Sequence, residues 1–258
     1  MKKSLVVIAA AAVLGAAGVA VTQQAFAAGA PTYHPTRLAH VGDAKQLIVV
    51  TGQSTTSTYA TLRTYQLGTD GRWTERFPAM PARNGYAGWA WGNSRIQDTG
   101  TTPAGTYAIT TAFGLQANPG TKVSYRRADS NDYWVGDNKD PKTYNIFQPS
   151  ASAKRTWRTS QAERLADYPT QYAYAAVIDF NRPAAGSLTW NTTYSEHITS
   201  KPVDVRRGSA IFLHVNGSGS TAGCVSLARA DMINVLKWLD PAKKPRIVMA
   251  PLAHINGA

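Results

Sequence analysis

Apolar positions along the chain first gather in one block, Leu5 to Val21, rich in Ala, Val and Leu and broken only by Gly15 and Gly18. Beyond it the pattern changes to short periods. Gln46 to Thr51 is a β-branched run, and Tyr59 to Leu67 alternates polar with apolar or aromatic residues, so both predict strands. Gly68-Thr-Asp-Gly71 supplies hairpin-loop residues before Trp73. Gly105 to Ala112 is a further strand candidate; Tyr172 to Phe180 and Ala210 to His214 read as core strands, and Arg246 to Met249 as the strand that closes the sheet. Met232, Val235, Leu236 and Leu239 share one face at helical spacing, with Ser226 as the expected N-cap and Asp240-Pro241 as the stop. Residues 115 to 165 are polar and aromatic and read as long loops over a cleft, with a short helix from Ser160 to Leu165. No internal repeat is visible. The pattern predicts one mainly β domain with a helix just after the cysteine.

Composition supports a folded chain. Its 258 residues are 43% hydrophobic and 16% charged, which is globular rather than disordered. A chain of this length buries roughly 70% of its unfolded surface and needs no disulfide to hold a core. The net charge of +12 favours an anionic partner: nucleic acid, anionic lipid or an acidic cell-wall polymer. The basic residues are scattered and no nucleic-acid motif stands out, so a generally basic solvated surface is the competing reading.

The first block narrows that choice. Lys2 and Lys3 precede the apolar run, Thr22-Gln23-Gln24 breaks it, and Ala25-Phe26-Ala27 fits a small-x-small cleavage site. The expectation is a signal peptide over 1–27, against an uncleaved anchor helix as the alternative. An N-terminal arm or linker over 28–44, a catalytic domain over 45–251 and a tail over 252–258 would follow. Export moves the anionic partner toward an acidic cell wall, with no nucleic acid and no stable membrane anchor after cleavage.

Export also changes the reading of the chain's single cysteine, Cys224. Exported cysteines are usually paired, so a lone one is an inert buried thiol, an intermolecular link or a nucleophile. The surrounding text is Ala210-Ile-Phe-Leu-His214, then a Gly/Ser loop, then Ser220-Thr-Ala-Gly-Cys224-Val-Ser-Leu227. A thiol needs a base or positive charge to attack at neutral pH. His214 is the candidate base. The N-terminus of the predicted helix would add partial positive charge. The amides of Gly223 and Cys224, in the turn that includes Ala222, could meet an oxyanion. Ser220, Thr221 and Asn216 could contact substrate. His214 and Cys224 find no third ligand at zinc spacing, so no metal is expected. Tyr133, Trp134, Tyr144 and Asn145 form either a substrate wall or ordinary loop packing.

Ser220 to Leu227, with a histidine-ended strand before it, resembles the L,D-transpeptidase (YkuD-type) catalytic domain. Thr102-Pro-Ala-Gly-Thr-Tyr107 is similar to that family's Thr-Pro-x-Gly-x-aromatic strand. Trp134-Val135, Tyr144-Asn145, Ile178-Asp-Phe-Asn181 and Trp238-Leu-Asp-Pro241 resemble elements of its actinobacterial-type branch. The resemblance covers roughly residues 45 to 251. It implies a mainly β, sandwich-type catalytic domain in which a peptidoglycan stem peptide acylates Cys224. The acyl group then passes to an amine of a second stem in a 3→3 type cross-link. It also implies His214 as base, its other ring nitrogen oriented by a backbone carbonyl just downstream, and no cofactor. Three departures stand out: Ala222 replaces the signature histidine, the His214–Cys224 loop is short, and Ser226 stands where many members carry Arg or Asn. Hydrolysis through the same thioester and a non-catalytic wall-binding module are the alternatives. A papain-like protease would need Cys before His in chain order.

Overall fold

The structure, a computed structural model, describes residues 33–258. The leader expected over 1–27 lies outside the described residues. The strands in chain order are β1 (Gln46–Gly52), β2 (Tyr59–Leu67), β3 (Trp73–Glu75), β4 (Met80–Arg83), β5 (Trp89–Trp91), β6 (Thr102–Ala108), β7 (Thr111–Gly114), β8 (Ser124–Arg127), β9 (Tyr133–Val135), β10 (Phe147–Gln148) and β11 (Ala162–Arg164). They continue with β12 (Ala175–Val177), β13 (Leu188–Asn191), β14 (Glu196–Thr199), β15 (Phe212–Val215), β16 (Val225–Leu227) and β17 (Arg246–Pro251); the α-helix, α1, spans Arg229–Trp238. Twelve strands form one curled sheet in the order β5-β6-β17-β1-β2-β4-β16-β15-β12-β7-β8, with β3 alongside β2. The fold is mainly β, as the sequence pattern predicts.

Both faces of the central strands are covered. On β1, Ile48 and Val50 join the core that holds the helix face Met232, Val235, Leu236 and Leu239. Leu47 and Val49 point the other way, into a core with Tyr65, Val248 and Ile255. Alternate side chains of a strand leave opposite faces, so a run buried on both sides is apolar throughout rather than alternating. Each such Leu, Ile or Val stabilises the fold by roughly 1.5–3 kcal/mol relative to exposure.

Several expected elements change shape. Gly105 to Ala112 is not one strand: β6 ends at Ala108 and β7 begins at Thr111. Arg246 to Met249 does not close the sheet but lies inside it, between β6 and β1. From Tyr172 to Phe180 only Ala175–Val177 is extended, because Gln171–Ala173 is a 3₁₀ turn. Ser160 to Leu165 is a 3₁₀ turn followed by β11, not a helix, and residues 115–165 carry β8 to β11. In the expected arm, Tyr33, Leu38 and Ala44 are buried against β1, so its described part is packed rather than loose. The tail forms a 3₁₀ helix, Leu252–Gly257, that buries Ile255.

The largest change concerns the helix. Strand β16 intervenes between Cys224 and α1, and the N-cap is Ala228 with no side-chain capping bond. Ser226, the expected cap, is a fully buried strand residue. Val225 and Leu227 face the core containing α1, whereas Cys224 belongs to a third cluster with Phe113, Trp134, Tyr172 and Phe212. The helix packs behind the sheet from the thiol, so its N-terminus supplies no charge there.

Candidate active site

The site is built on two parallel neighbours, β15 and β16. Their register sets Leu213 opposite Val225 and His214 opposite Ser226. Phe212 and His214 leave one face of β15, and Leu213 and Val215 leave the other. The second pair enters the core with α1, so His214 turns toward the aromatic cluster that holds Cys224. Each strand is bent into place by a fixed segment. Ala210, at φ +56°, precedes β15. Its amide donates to Asn145 Oδ1 at 3.1 Å, an oxygen that also accepts from Trp134 Nε1 at 2.7 Å.

The cysteine turn is tied from both ends. Thr221 Oγ1 accepts from the Gly223 amide at 3.1 Å and donates to the Cys224 carbonyl at 2.6 Å. The Thr221 amide donates to the Asn84 carbonyl at 2.9 Å, and its carbonyl accepts from the Tyr86 amide at 2.8 Å. Gly223 has φ +139°, and a Cβ there would come within 2.9 Å of both Arg95 Nη2 and the Thr101 carbonyl. Only glycine fits that turn.

Around the sulfur the contacts are close and polar. Sγ donates to the Ala210 carbonyl and accepts from the Phe212 amide, each at 3.3 Å. Cys224 is 8% exposed and His214 6%. Burial pushes the Cys224 thiol up to about 12, the nearby Glu163 charge adds to the rise, and the Phe212 amide and Arg95 oppose it. Burial also pulls His214 down to about 4, with the Val215 hydrogen bond acting the other way. His214 Nδ1 lies 2.8 Å from the Val215 carbonyl. A carbonyl can only accept, so Nδ1 carries the proton and Nε2 keeps a free lone pair. Both groups are therefore neutral at pH 7, a thiol and an imidazole rather than a thiolate–imidazolium pair.

The other candidate residues divide. Thr221 is a clamp. Ser220 and Ala222 are exposed on the loop. Asn216 donates its amide to the Leu227 carbonyl at 2.6 Å, while its side-chain oxygen is buried without a hydrogen-bond partner. The Gly223 amide, expected as an oxyanion donor, is already engaged by Thr221. Trp134 and Tyr144, the candidates for a substrate wall, are buried at 3% and 0% exposed. Trp134 packs on Phe212 at 4.8 Å, and the Tyr144 hydroxyl donates to Gln97.

The structure also brings in residues that sequence reasoning did not single out. Tyr172 sets its ring edge-on to His214, 5.7 Å away at 87°. Its hydroxyl donates to Glu163 Oε1 at 2.5 Å. Arg95 is 4% exposed and donates to the Thr101 and Arg207 carbonyls, each at 2.7 Å. Nothing in the local text marks these three, since each arrives from a turn or short strand far from Cys224. Among the described residues no group of three or more His, Cys, Asp or Glu side chains gathers into a metal-holding set.

The L,D-transpeptidase catalytic domain family (YkuD) matches the chain over residues 42–248. The chain belongs to that family. No curated protein and no solved structure matched it.

Proposed function

We propose that this member of the L,D-transpeptidase family is an exported acyltransferase of peptidoglycan, with Cys224 as nucleophile and His214 as general base. The observation that carries the reading is the pairing of β15 and β16. It turns the chain's single cysteine and a base with a free Nε2 toward one aromatic cluster. Family membership supplies the substrate class, the stem peptide. The basic surface and the leader-like N-terminus support work at an anionic cell wall, outside the cytoplasmic membrane. Among the described residues no helix is long and apolar enough to cross a membrane.

The cycle follows from two neutral partners. As Sγ attacks the scissile carbonyl carbon, its proton passes to His214 Nε2 and a C–S bond forms. The Cys224 amide is the main-chain donor assigned to the oxyanion, because the Gly223 amide is engaged. Collapse breaks the C–N bond, and His214 returns the proton to the departing D-amino acid nitrogen. An acceptor amine then attacks the thioester, forming the 3→3 type amide and releasing the thiol. The cycle needs no cofactor.

The test is intact-mass spectrometry of the chain with a carbapenem, a β-lactam that acylates such cysteines, beside Cys224→Ala and His214→Ala. An adduct on the unmodified chain and none on Cys224→Ala supports the reading. No adduct, while a thiol reagent still labels Cys224, overturns it. A stem tetrapeptide with and without an acceptor amine then separates transfer from hydrolysis by the same thioester.

A further inference from the structure

Glu163 is a carboxylate without a cation. Its cross-strand partner is Trp134 on β9. Opposed residues of an antiparallel pair leave the same face, so Glu163 points with Trp134 into the cluster that holds Tyr172, Phe212 and Cys224. Its hydrogen bond comes from the Tyr172 hydroxyl, at Oε1. The fully buried acids are better served: Asp137 pairs with Arg158 and Asp132 with Arg126. Glu196 accepts from the amide and hydroxyl of Thr156. Among the described residues, none of the ion pairs includes Glu163, although basic residues outnumber acidic ones 27 to 15 in the chain.

Glu163 is half-buried, and a carboxylate drawn partly away from water is stabilised by a partner charge or several donors. It also works against the neighbouring thiol, whose ionisation its charge opposes. A second feature points outward. A carboxylate offers about four lone-pair positions, and Tyr172 occupies one. Burial pushes Glu163 up to about 7, so it can exchange a proton near neutral pH. The missing partner is a cation that arrives with a ligand. Under the thioester reading, on which this inference rests, the acceptor brings one: an alkylamine is an ammonium ion at neutral pH.

We propose that Glu163, held by Tyr172, is the binding site for the acceptor's ammonium group beside Cys224 and takes the proton that this group must lose before it attacks. The step balances. The ammonium gives one proton to the Glu163 carboxylate and becomes a neutral amine. Its lone pair attacks the thioester carbon, the C–N bond forms and the C–S bond breaks. The second proton leaves the nitrogen for His214 and passes to the departing sulfur, restoring the thiol. Glu163 then returns its proton to water. A bound amine at high effective concentration outruns water at the thioester, so the same carboxylate selects transfer over hydrolysis.

The titratable groups facing Glu163 are Tyr172, Tyr168 and Cys224, with His214 behind Tyr172. Cations on adjoining elements have other partners. Arg164 pairs with Asp167, Arg182 pairs with Asp179 and lies over the Trp134 ring, and Arg95 donates to backbone carbonyls.

The experiment titrates Cys224→Ala with glycinamide, which is an ammonium ion, and with glycolamide, its neutral counterpart, by NMR. Glycinamide is expected to bind at least tenfold more tightly, with the preference appearing as pH rises through the Glu163 transition. Adding Glu163→Gln is expected to erase the preference, and Glu163→Asp to keep part of it. Adding Tyr172→Phe removes a donor to the carboxylate and is expected to move the transition to higher pH. Equal binding of the two probes, or a preference that survives Glu163→Gln, overturns the site. If Glu163→Gln fails to fold, a pH-independent preference in Cys224→Ala overturns it instead. Stem-peptide acylation of the unmodified chain is read separately by mass. An adduct with equal probe binding overturns the ammonium site alone, and a probe preference with no adduct overturns the thioester reading alone.

Discussion

His214 and Ser226 stand directly opposite each other on parallel strands, so the residue two before Ser226 on its face, Cys224, lies one step along the sheet from the imidazole. Both side chains leave the same face of the sheet. Ser226 is fully buried with its hydroxyl unpartnered.

His214 is buried as a neutral base, pulled down to about 4 from an ordinary 6.5. A depressed histidine stabilises the fold fully above its unfolded pKa, and that contribution is lost as pH falls from about 6.5 to about 4. The shift corresponds to about 3 kcal/mol. Glu163, pushed up to about 7, has the opposite sign: its contribution is present below its unfolded pKa and lost as pH rises toward 7. Chemical denaturation from pH 4 to 8 is expected to show His214→Gln losing less stability at acid pH than the unmodified chain. The acylation rate is expected to hold down to about pH 5, because the base stays neutral there, and His214→Ala is expected to cost about 10²–10⁴-fold.

The Cys224 thiol, pushed from 9 to about 12 and nearly closed off, is expected to react slowly with simple alkylating reagents. Thiolate falls about tenfold per unit of rise, so labelling by iodoacetamide at pH 8 is expected to be about a thousandfold slower in the folded chain than in urea. Equal rates, followed by mass spectrometry, would contradict the buried neutral thiol.

Thr221→Val removes the hydroxyl that holds the Gly223 amide and the Cys224 carbonyl. Stranding two backbone groups is expected to cost about 1–3 kcal/mol in denaturant and to slow acylation as the turn loosens. Gly223→Ala meets Arg95 and Thr101 instead and is expected to cost a similar about 1–3 kcal/mol through backbone strain.

Trp134 is a core residue beneath the site, stacked with Phe113 and edge-on to Phe212. Trp134→Ala is expected to lose about 3–5 kcal/mol, read as a fall in Tm. A loss of substrate affinity at unchanged Tm would return Trp134 to the substrate wall.

How much of this is visible in the linear text differs by element. The alternation in Tyr59 to Leu67 marks the span of β2, but not that Leu62 to Tyr65 are buried in succession, on both faces. The helix face is legible too. Its start is not: Ser226 reads as a cap because the text does not record that Val225–Leu227 is claimed by β15 and β4. Ser160 to Leu165 fails similarly, since pairing with β9 makes it a strand.

By itself the sequence determined the mainly β class, the buried helix face, and the one cysteine with a histidine-ended strand before it. These are local patterns and a unique residue count. Only the tertiary structure decided that α1 lies behind the sheet from Cys224, that Trp134 and Tyr144 belong to the core, and that Glu163, Tyr172 and Arg95 surround the thiol. The reason is physical. Strand pairing and burial are set by contacts between distant segments, and the charge environment of Cys224 is a sum over those contacts, none of which is written beside it in the chain.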